Sequence, residues 1–504
     1  MHDPAHQLIR FCPTTRNTYR MALLPGSHQR KRNMHIIDRI YIDGAFVKPT
    51  GDQWAPLFNP ATEEQIGTVR LADAVDANRA VAAAKRAFPA FSHTTKEERI
   101  DMLNRLYAAV SARTDDLTCA MREEYGAPSC FIDFSAPRAG TVFLDMARTL
   151  KDYEFRRRAG SADVEMRPSG VAVAITPWNS NYSFICGKLS AAIAAGATMV
   201  IKPSEMSALQ TQVITECLHA AGLSNGIFNI VTGYGNVVGA ALTTHPDVSK
   251  ITFTGSTATG RSIVQAAAPT MKRVTMELGG KSPSIILDDA DLDIAIPQVL
   301  AAGFRNSGQA CIAGTRILAP QSRFGEIEER LSHAVRRFRA GNPADEQVQV
   351  GPMVSQKQWD RVQSYIRLGQ EEGARLLAGG EGRPEGLHRG WFVQPTIFTG
   401  VRNDMRIARE EIFGPVLSLI SYHDEADAIS IANDTEYGLQ AHVFSSDIER
   451  AKRIANQIEA GRVFINDAPH DPLAPFGGFK QSGFGREFGV FGLEAFLEPR
   501  AVLS

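Results

Sequence analysis

One cysteine of this 504-residue chain, Cys311, sits in "GFRNSGQACIAGTR" (303–316), a run of glycine, small and polar residues rather than an apolar stripe. A loop cysteine beside Gly308 can be reached by a substrate, whereas an apolar cage would raise its pKa and leave it inert. A thiolate nucleophile needs a partner that accepts charge or activates water. Upstream, Glu277 closes the apolar run of "VTMELGGKSP" (274–283) just before Gly279 and Gly280. Adjacent glycines let the backbone bend sharply beside a carboxylate that is costly at the edge of a core. From there Glu277 could act as a general base; a capping or ion-paired glutamate fits the same residues.

These residues need elements to hold them. Three strand-like runs each end in distinctive polar residues: "VAVAITPWN" (171–179), "ATMVIKPSE" (197–205) and "ITFTGSTATG" (251–260). In open α/β sheets, ligands gather beyond the carboxyl ends of the strands, so the repetition predicts a cofactor crevice. In the third run Gly255, Ser256 and Gly260 would open a helix and aim its N–H groups at a pyrophosphate. This is not GxGxxG, and a plain strand-to-helix turn is the competing reading. In the second, Lys202 ends a strand and Glu205 falls in the next helical turn, in reach of ribose hydroxyls. A solvated lysine and a glutamate favouring the helix N-terminus would read alike. Alanine and valine at helical spacing predict helices over 73–88 and 96–113, and polar 152–168 predicts a hairpin or an arm on a neighbouring subunit.

Composition narrows the function classes. The chain is 44% hydrophobic with 42 glycines, and β-branched runs alternate with alanine-rich stretches, which predicts α/β layering with a largely parallel sheet. The longest weakly polar window, 189–201, is too short and alanine-rich to span a bilayer. With 54 Lys+Arg against 55 Asp+Glu and no long single-sign block in the body, no nucleic-acid or membrane partner is called for. Six cysteines lie scattered without CxxC or CxxH spacing, which predicts free thiols, no metal site and a reducing, cytoplasmic setting. The first 33 residues carry six Lys/Arg against one acid, leaving a body near −6. They read as a disordered extension, from a transit peptide or from a start codon upstream of Met34.

Seven segments in order resemble the NAD(P)-dependent aldehyde dehydrogenases. They are "PWN" (177–179), "IKPSE" (201–205), "FTGSTATGR" (253–261), "MELGGKSP" (276–283), "GQAC" (308–311), "EEIFGPV" (410–416) and "PFGGFKQSGFGRE" (475–487). The resemblance implies a Rossmann-type cofactor domain (34–152 and 169–279), an α/β catalytic domain (280–474), and a small β oligomerisation element from 153–168 with 475–504. It implies a homodimer or homotetramer, to which the apolar residues of 491–503 would contribute.

The same resemblance assigns roles. Cys311 attacks the aldehyde carbonyl, Asn179 and the Cys311 N–H hold the oxyanion, and Glu277 activates the water that hydrolyses a thioester. For the cofactor it implies Trp178, Lys202, Glu205, Gly255, Ser256, Glu411 and Phe413. Glu205 disfavours the extra phosphate of NADP, so NAD is expected and NADP remains open. Lys188 and Glu487 are implied as a proton relay, although alone both read as surface charges. The chain departs from common members after "PWN", where Ser180 and Asn181 stand, and Gly187 replaces a bulkier residue. Ser180, Phe184, Ile312 and Phe476 are expected to wall the pocket, and His470 to sit on a surface loop. Two other classes stay open: a cofactor-independent cysteine hydrolase, which has no use for Lys202, Glu205, Glu411 or Phe413, and a noncatalytic structural protein, which would not need Cys311 and Glu277 together. A CoA-acylating variant is the third alternative; it would hand the thioester to CoA, whereas intact Glu277 favours water.

Overall fold

Four of the apolar runs form adjacent strands that are buried almost throughout, as expected for a sheet covered on both faces. In the computed structural model, which describes residues 34–504, Arg273–Glu277, Lys250–Thr254, Val171–Ile175, Thr198–Lys202 and Phe228–Ile230 run parallel in that spatial order. Ile40–Ile42 and Ala45–Val47 extend one edge of this eight-stranded sheet and Gly483–Phe484 the other, all antiparallel. The expected strand ends fall where the sequence predicts. Thr254, Lys202 and Ile175 finish neighbouring strands and deliver Gly255, Glu205 and Trp178 to one rim.

The helices start on sequence signals. Asp73 and Asp76 form a capping box at Ala74–Phe91, and Thr95 with Glu98 another at Lys96–Ser111, each pairing two otherwise unsatisfied N–H groups. Asn181–Ala195 ends at Gly196, whose φ of 82° is a left-handed turn suited to glycine.

A second sheet has seven strands in the order Arg375–Ala378, Thr396–Thr399, Val416–Tyr422, Arg316–Pro320, Pro283–Ile286, Gln440–Phe444, Arg462–Ile465. It is parallel except at its first pair. The chain crosses from the first sheet to the second between Glu277 and Pro283. Polar 152–168 contains a hairpin, Arg156–Ala159 with Ala162–Pro168, whose inner strand pairs with Leu497–Val502.

The segment 475–504, expected as part of one oligomerisation element, is divided three ways. Phe479–Lys480 pairs with Tyr437–Gly438, Gly483–Phe484 pairs with Glu277 and Met276, and only Leu497–Val502 joins the hairpin. Glycine permits this route. Gly483 has φ 112°, and a Cβ there would lie 1.9 Å from the Met276 carbonyl oxygen, so no other residue could pass that close to the strand carrying Glu277. The expected extension 1–33 lies outside the described residues. Among the described residues no helix is long and apolar enough to cross a membrane.

Candidate active site

The cysteine loop owes its shape to three successive left-handed residues. After helix Leu292–Gly303, Asn306, Ser307 and Gly308 take φ of 52°, 58° and 73°, which breaks the helical path and swings Cys311 outward. Such conformations cost on the order of 1 kcal/mol or more each for the non-glycine pair and persist only when neighbours enforce them. Here Ser307 Oγ accepts from Gly351 N (2.8 Å), and Gln309 Oε1 accepts from Val354 N (2.9 Å). Gln309 Nε2 donates to Tyr125 and to the Pro352 carbonyl. The loop is a rigid mount for a thiol.

Two cavities meet at that thiol. One, of about 370 Å³, runs between helices Ser129–Asp152 and Asn181–Ala195 and the end of the second sheet. The other, about 540 Å³, passes over the first sheet's strand ends. Cys311, Asn179 and Phe184 line both. Asn179 is buried; its Nδ2 donates to the Gln309 carbonyl (2.9 Å) and its own carbonyl accepts from Asn306. A primary amide has two N–H groups, so one remains for a second acceptor.

Glu277 is 2% exposed, and no protein group among the described residues donates to either of its carboxylate oxygens. Gly477 lies against it, since a Cβ there would stand 2.8 Å from its Oε1, and a Cβ on Gly280 would meet the Cys311 carbonyl at 2.3 Å. Gly280 therefore lets the segment after Glu277 pass close against the Cys311 loop. Burial, and next the charge of Glu487, raises the Glu277 carboxyl well above the usual carboxylate range, against Lys188, Arg486 and Arg462. The Cys311 thiol is pushed up to about 12, first by burial and then by Glu411 and Glu277, while the N–H groups of Cys311 and Ile312 pull it down. Those two donors point at the place where a negative charge on sulfur, or on an atom bonded to it, would develop.

The larger cavity carries most of the expected cofactor residues. Trp178, Gly255, Ser256, Glu411 and Phe413 line it. Ser256 Oγ is already used as the cap of helix Thr257–Ala267, accepting from Thr259 N. Glu411 accepts from Gly280 N (3.1 Å), and burial raises its carboxyl to about 7. A Cβ on Gly279 would stand 2.6 Å from Glu411 Oε2, so only glycine leaves the carboxylate there. Phe413, at φ 63°, is pinned by Gln358 Nε2 on its carbonyl and stands edge-on to Trp178 at 5.5 Å. Lys202 and Glu205 are not in the cavity's walls. They face each other at 3.7 Å at the end of the next strand, the lysine buried and its pKa lowered by that burial.

Lys188 and Glu487, surface charges by sequence, are not on the surface. Lys188 is 3% exposed, bonds Glu487 and Thr252, and is the one charged residue on a largely apolar buried helix. Glu487 reaches the smaller cavity, where Ser180, Phe184, Ile312 and Phe476 also stand. His470, expected on the surface, lines this cavity and faces Arg462 at 3.1 Å, because the 466–475 loop folds over the mouth. Gly187 leaves space: a Cβ there would meet only the Phe488 ring, at 4.0 Å. Sequence reading missed Arg138, Arg305, Arg462 and His442 on these walls. Each lies in an unremarkable local pattern; only Arg305, six residues before Cys311, offered a hint.

Cys311 and Asn179 thus stand where the two cavities meet, and Glu277, which lines neither, lies near enough to act on the Cys311 thiol by its charge. The aldehyde dehydrogenase family matches residues 46–502, and the chain belongs to that family. It is 45% identical to a 3-succinoylsemialdehyde-pyridine dehydrogenase of a Pseudomonas species, over 92% of this chain and 98% of that protein. A Pseudomonas syringae aldehyde dehydrogenase C variant, solved with NAD+ and octanal, is 43% identical with a TM-score of 0.90, covering 92% and 96% of the two chains. A Mycobacterium tuberculosis aldehyde dehydrogenase solved with NAD+ is 40% identical with a TM-score of 0.91, covering 94% and 99%.

Proposed function

We propose that this enzyme oxidises an aldehyde to its carboxylic acid with NAD, through covalent catalysis at Cys311. The observation that carries the reading is Glu277: a buried carboxyl without a protein donor, beside the loop of a thiol where two cavities join. A buried unpaired acid is costly in a structure and is explained by a reaction that uses it.

The larger cavity fits a dinucleotide. Its floor has the glycine turn and helix start suited to a pyrophosphate, Glu411 is an acceptor for ribose hydroxyls, and Phe413 and Trp178 offer apolar faces near the thiol. Lys202 and Glu205 would take the adenosine ribose once the cavity extends past Pro177; a carboxylate there disfavours NADP.

Sulfur of Cys311 bonds to the aldehyde carbon, and the carbonyl oxygen gains charge opposite the free Asn179 N–H and the Cys311 N–H. NAD, when bound, supplies the acceptor for the hydride that leaves this adduct, so that a thioester remains on Cys311. Glu277, once it has given up its own proton, takes one from water, whose oxygen bonds to the thioester carbon and expels the thiolate. Lys188 and Glu487 carry that proton away. One aldehyde, one NAD and one water thus yield one carboxylate, one reduced NAD and two protons.

The eight-stranded sheet is assigned to the cofactor, the seven-stranded sheet to the nucleophile, and the hairpin with Leu497–Val502 to self-association as a homodimer or homotetramer. The exposed edge strand Arg156–Ala159 supports the last point. Free cysteines at 130, 186, 217 and 311 support a reducing, cytoplasmic setting. The test is NADH formation from a panel of aldehydes. Cys311→Ala should lose more than about a thousandfold in turnover. Near-normal oxidation by that variant would overturn the mechanism.

A further inference from the structure

Three arginines from three separate elements converge on the smaller cavity. Arg138 comes from helix Ser129–Asp152, Arg305 from the turn after helix Leu292–Gly303, and Arg462 opens strand Arg462–Ile465. Aromatic rings hold them: the Arg305 guanidinium lies over Phe134 at 4.7 Å and Arg138 over the same ring at 5.9 Å. Arg462 stands over Phe476 at 5.0 Å and Phe464 at 5.7 Å. Among the described residues none of the three forms a salt bridge, while some thirty other pairs do so elsewhere on the chain. One Arg462 nitrogen is buried without an acceptor, and its other terminal nitrogen meets His470.

The remaining charges do not balance them. Glu487 is taken by Lys188; Asp145, outside the cavity walls, pairs with Arg148 and also draws on Arg138 without a salt bridge to it; and Asp467 is exposed at the mouth. Asp471 and Glu277 pull on Arg462 from a distance. His442 and His470 are pushed down to about 4 by burial and by these arginines, so they are neutral near pH 7. Like charges gathered in an enclosed, aromatic space cost free energy unless an anion joins them. A guanidinium fork matches a carboxylate in both geometry and charge, whereas a plain alkyl tail would leave Arg305 and Arg462 without a carboxylate in contact.

We propose that the substrate is an aldehyde bearing a carboxylate at the end away from its carbonyl, received among Arg138, Arg305 and Arg462, so that the product is a dicarboxylate. This rests on the aldehyde dehydrogenase reading and names the substrate class of the same site. The experiment compares kcat/KM for an ω-oxo fatty acid, its methyl ester and the alkanal of equal length, and for a formylbenzoate and its methyl ester. The acid should exceed its ester by at least about tenfold in the aliphatic or the aromatic series; which series responds identifies the tail. In Arg305→Met and Arg462→Met the acid-to-ester ratio should fall toward one, chiefly through KM, with the ester serving as the control for folding. Added salt should narrow the ratio in the native enzyme. Equal rates for acid and ester, or a ratio that both variants leave intact, would overturn the proposal while leaving aldehyde oxidation standing. No NADH from any aldehyde would overturn both.

Discussion

The two cavities that meet at Cys311 are built on different principles. The larger is shaped by backbone: strand ends, a helix start, and glycines at 279 and 280 whose Cβ atoms would collide with Glu411 or with the Cys311 carbonyl. The smaller is shaped by side chains from distant helices and strands, and its one wall glycine, Gly187, has room to spare. A backbone-built site tolerates few residue types at each position, and a side-chain-built site tolerates many. One wall can stay fixed while the other changes with the substrate.

The contrast can be broken by substitution. The largest effect is expected behind the shared corner, at Glu277, which lines neither cavity but acts on the Cys311 thiol. Glu277→Gln keeps the shape and removes the base, so steady turnover should fall by about a hundredfold or more while the acyl-enzyme accumulates, visible as an NADH burst. A variant that turns over normally would remove Glu277 from the reaction.

Gly280→Ala should follow. Its Cβ would face backbone at 2.3 Å, where no flexible side chain can yield, so we expect destabilisation of about 1–3 kcal/mol and loss of most activity together. Thermal melts and rates measured on the same sample check it; an unchanged melt would contradict the backbone-built picture.

A smaller effect concerns pH. The free enzyme's thiol lies near 12, so the thiolate fraction, and with it alkylation of Cys311, should climb about tenfold per unit from about pH 6 to pH 9. Alkylation that is flat across that interval would mean the thiol is already ionised. Gly187→Ala is the mildest case. In a helix interior with open space it should raise stability by about 0.5–1 kcal/mol, and a fall in melting temperature would show the side-chain wall to be tighter than the contrast allows.

How far the sequence could be read follows the same division. The strand ends at Thr254 and Lys202, the helix opening at Thr257 and the strand carrying Glu277 were legible, because β-branched runs and glycine turns record local backbone demands. Lys188 and Glu487 were not: each looks like a solvated charge until folding buries the pair, 299 positions apart, on Thr252. Arg138, Arg305 and Arg462 were hidden likewise, since an arginine's local pattern does not record which cavity it will face. The split path of 475–504 was equally out of reach, because strand pairing at 483–484 depends on an edge that another part of the chain supplies.

By itself, then, the sequence determined the α/β layering, the cysteine in a glycine-rich loop and the order of the segments that place the chain in its family, because these depend on local conformational preference and on residue chemistry. Only the tertiary structure decided that Glu277 ends without a donor, that buried Lys188 pairs with half-buried Glu487, and that three arginines share one cavity without an ion pair among the described residues. Those properties are set by burial and by charges brought together from remote positions, and neither exists until the chain has folded.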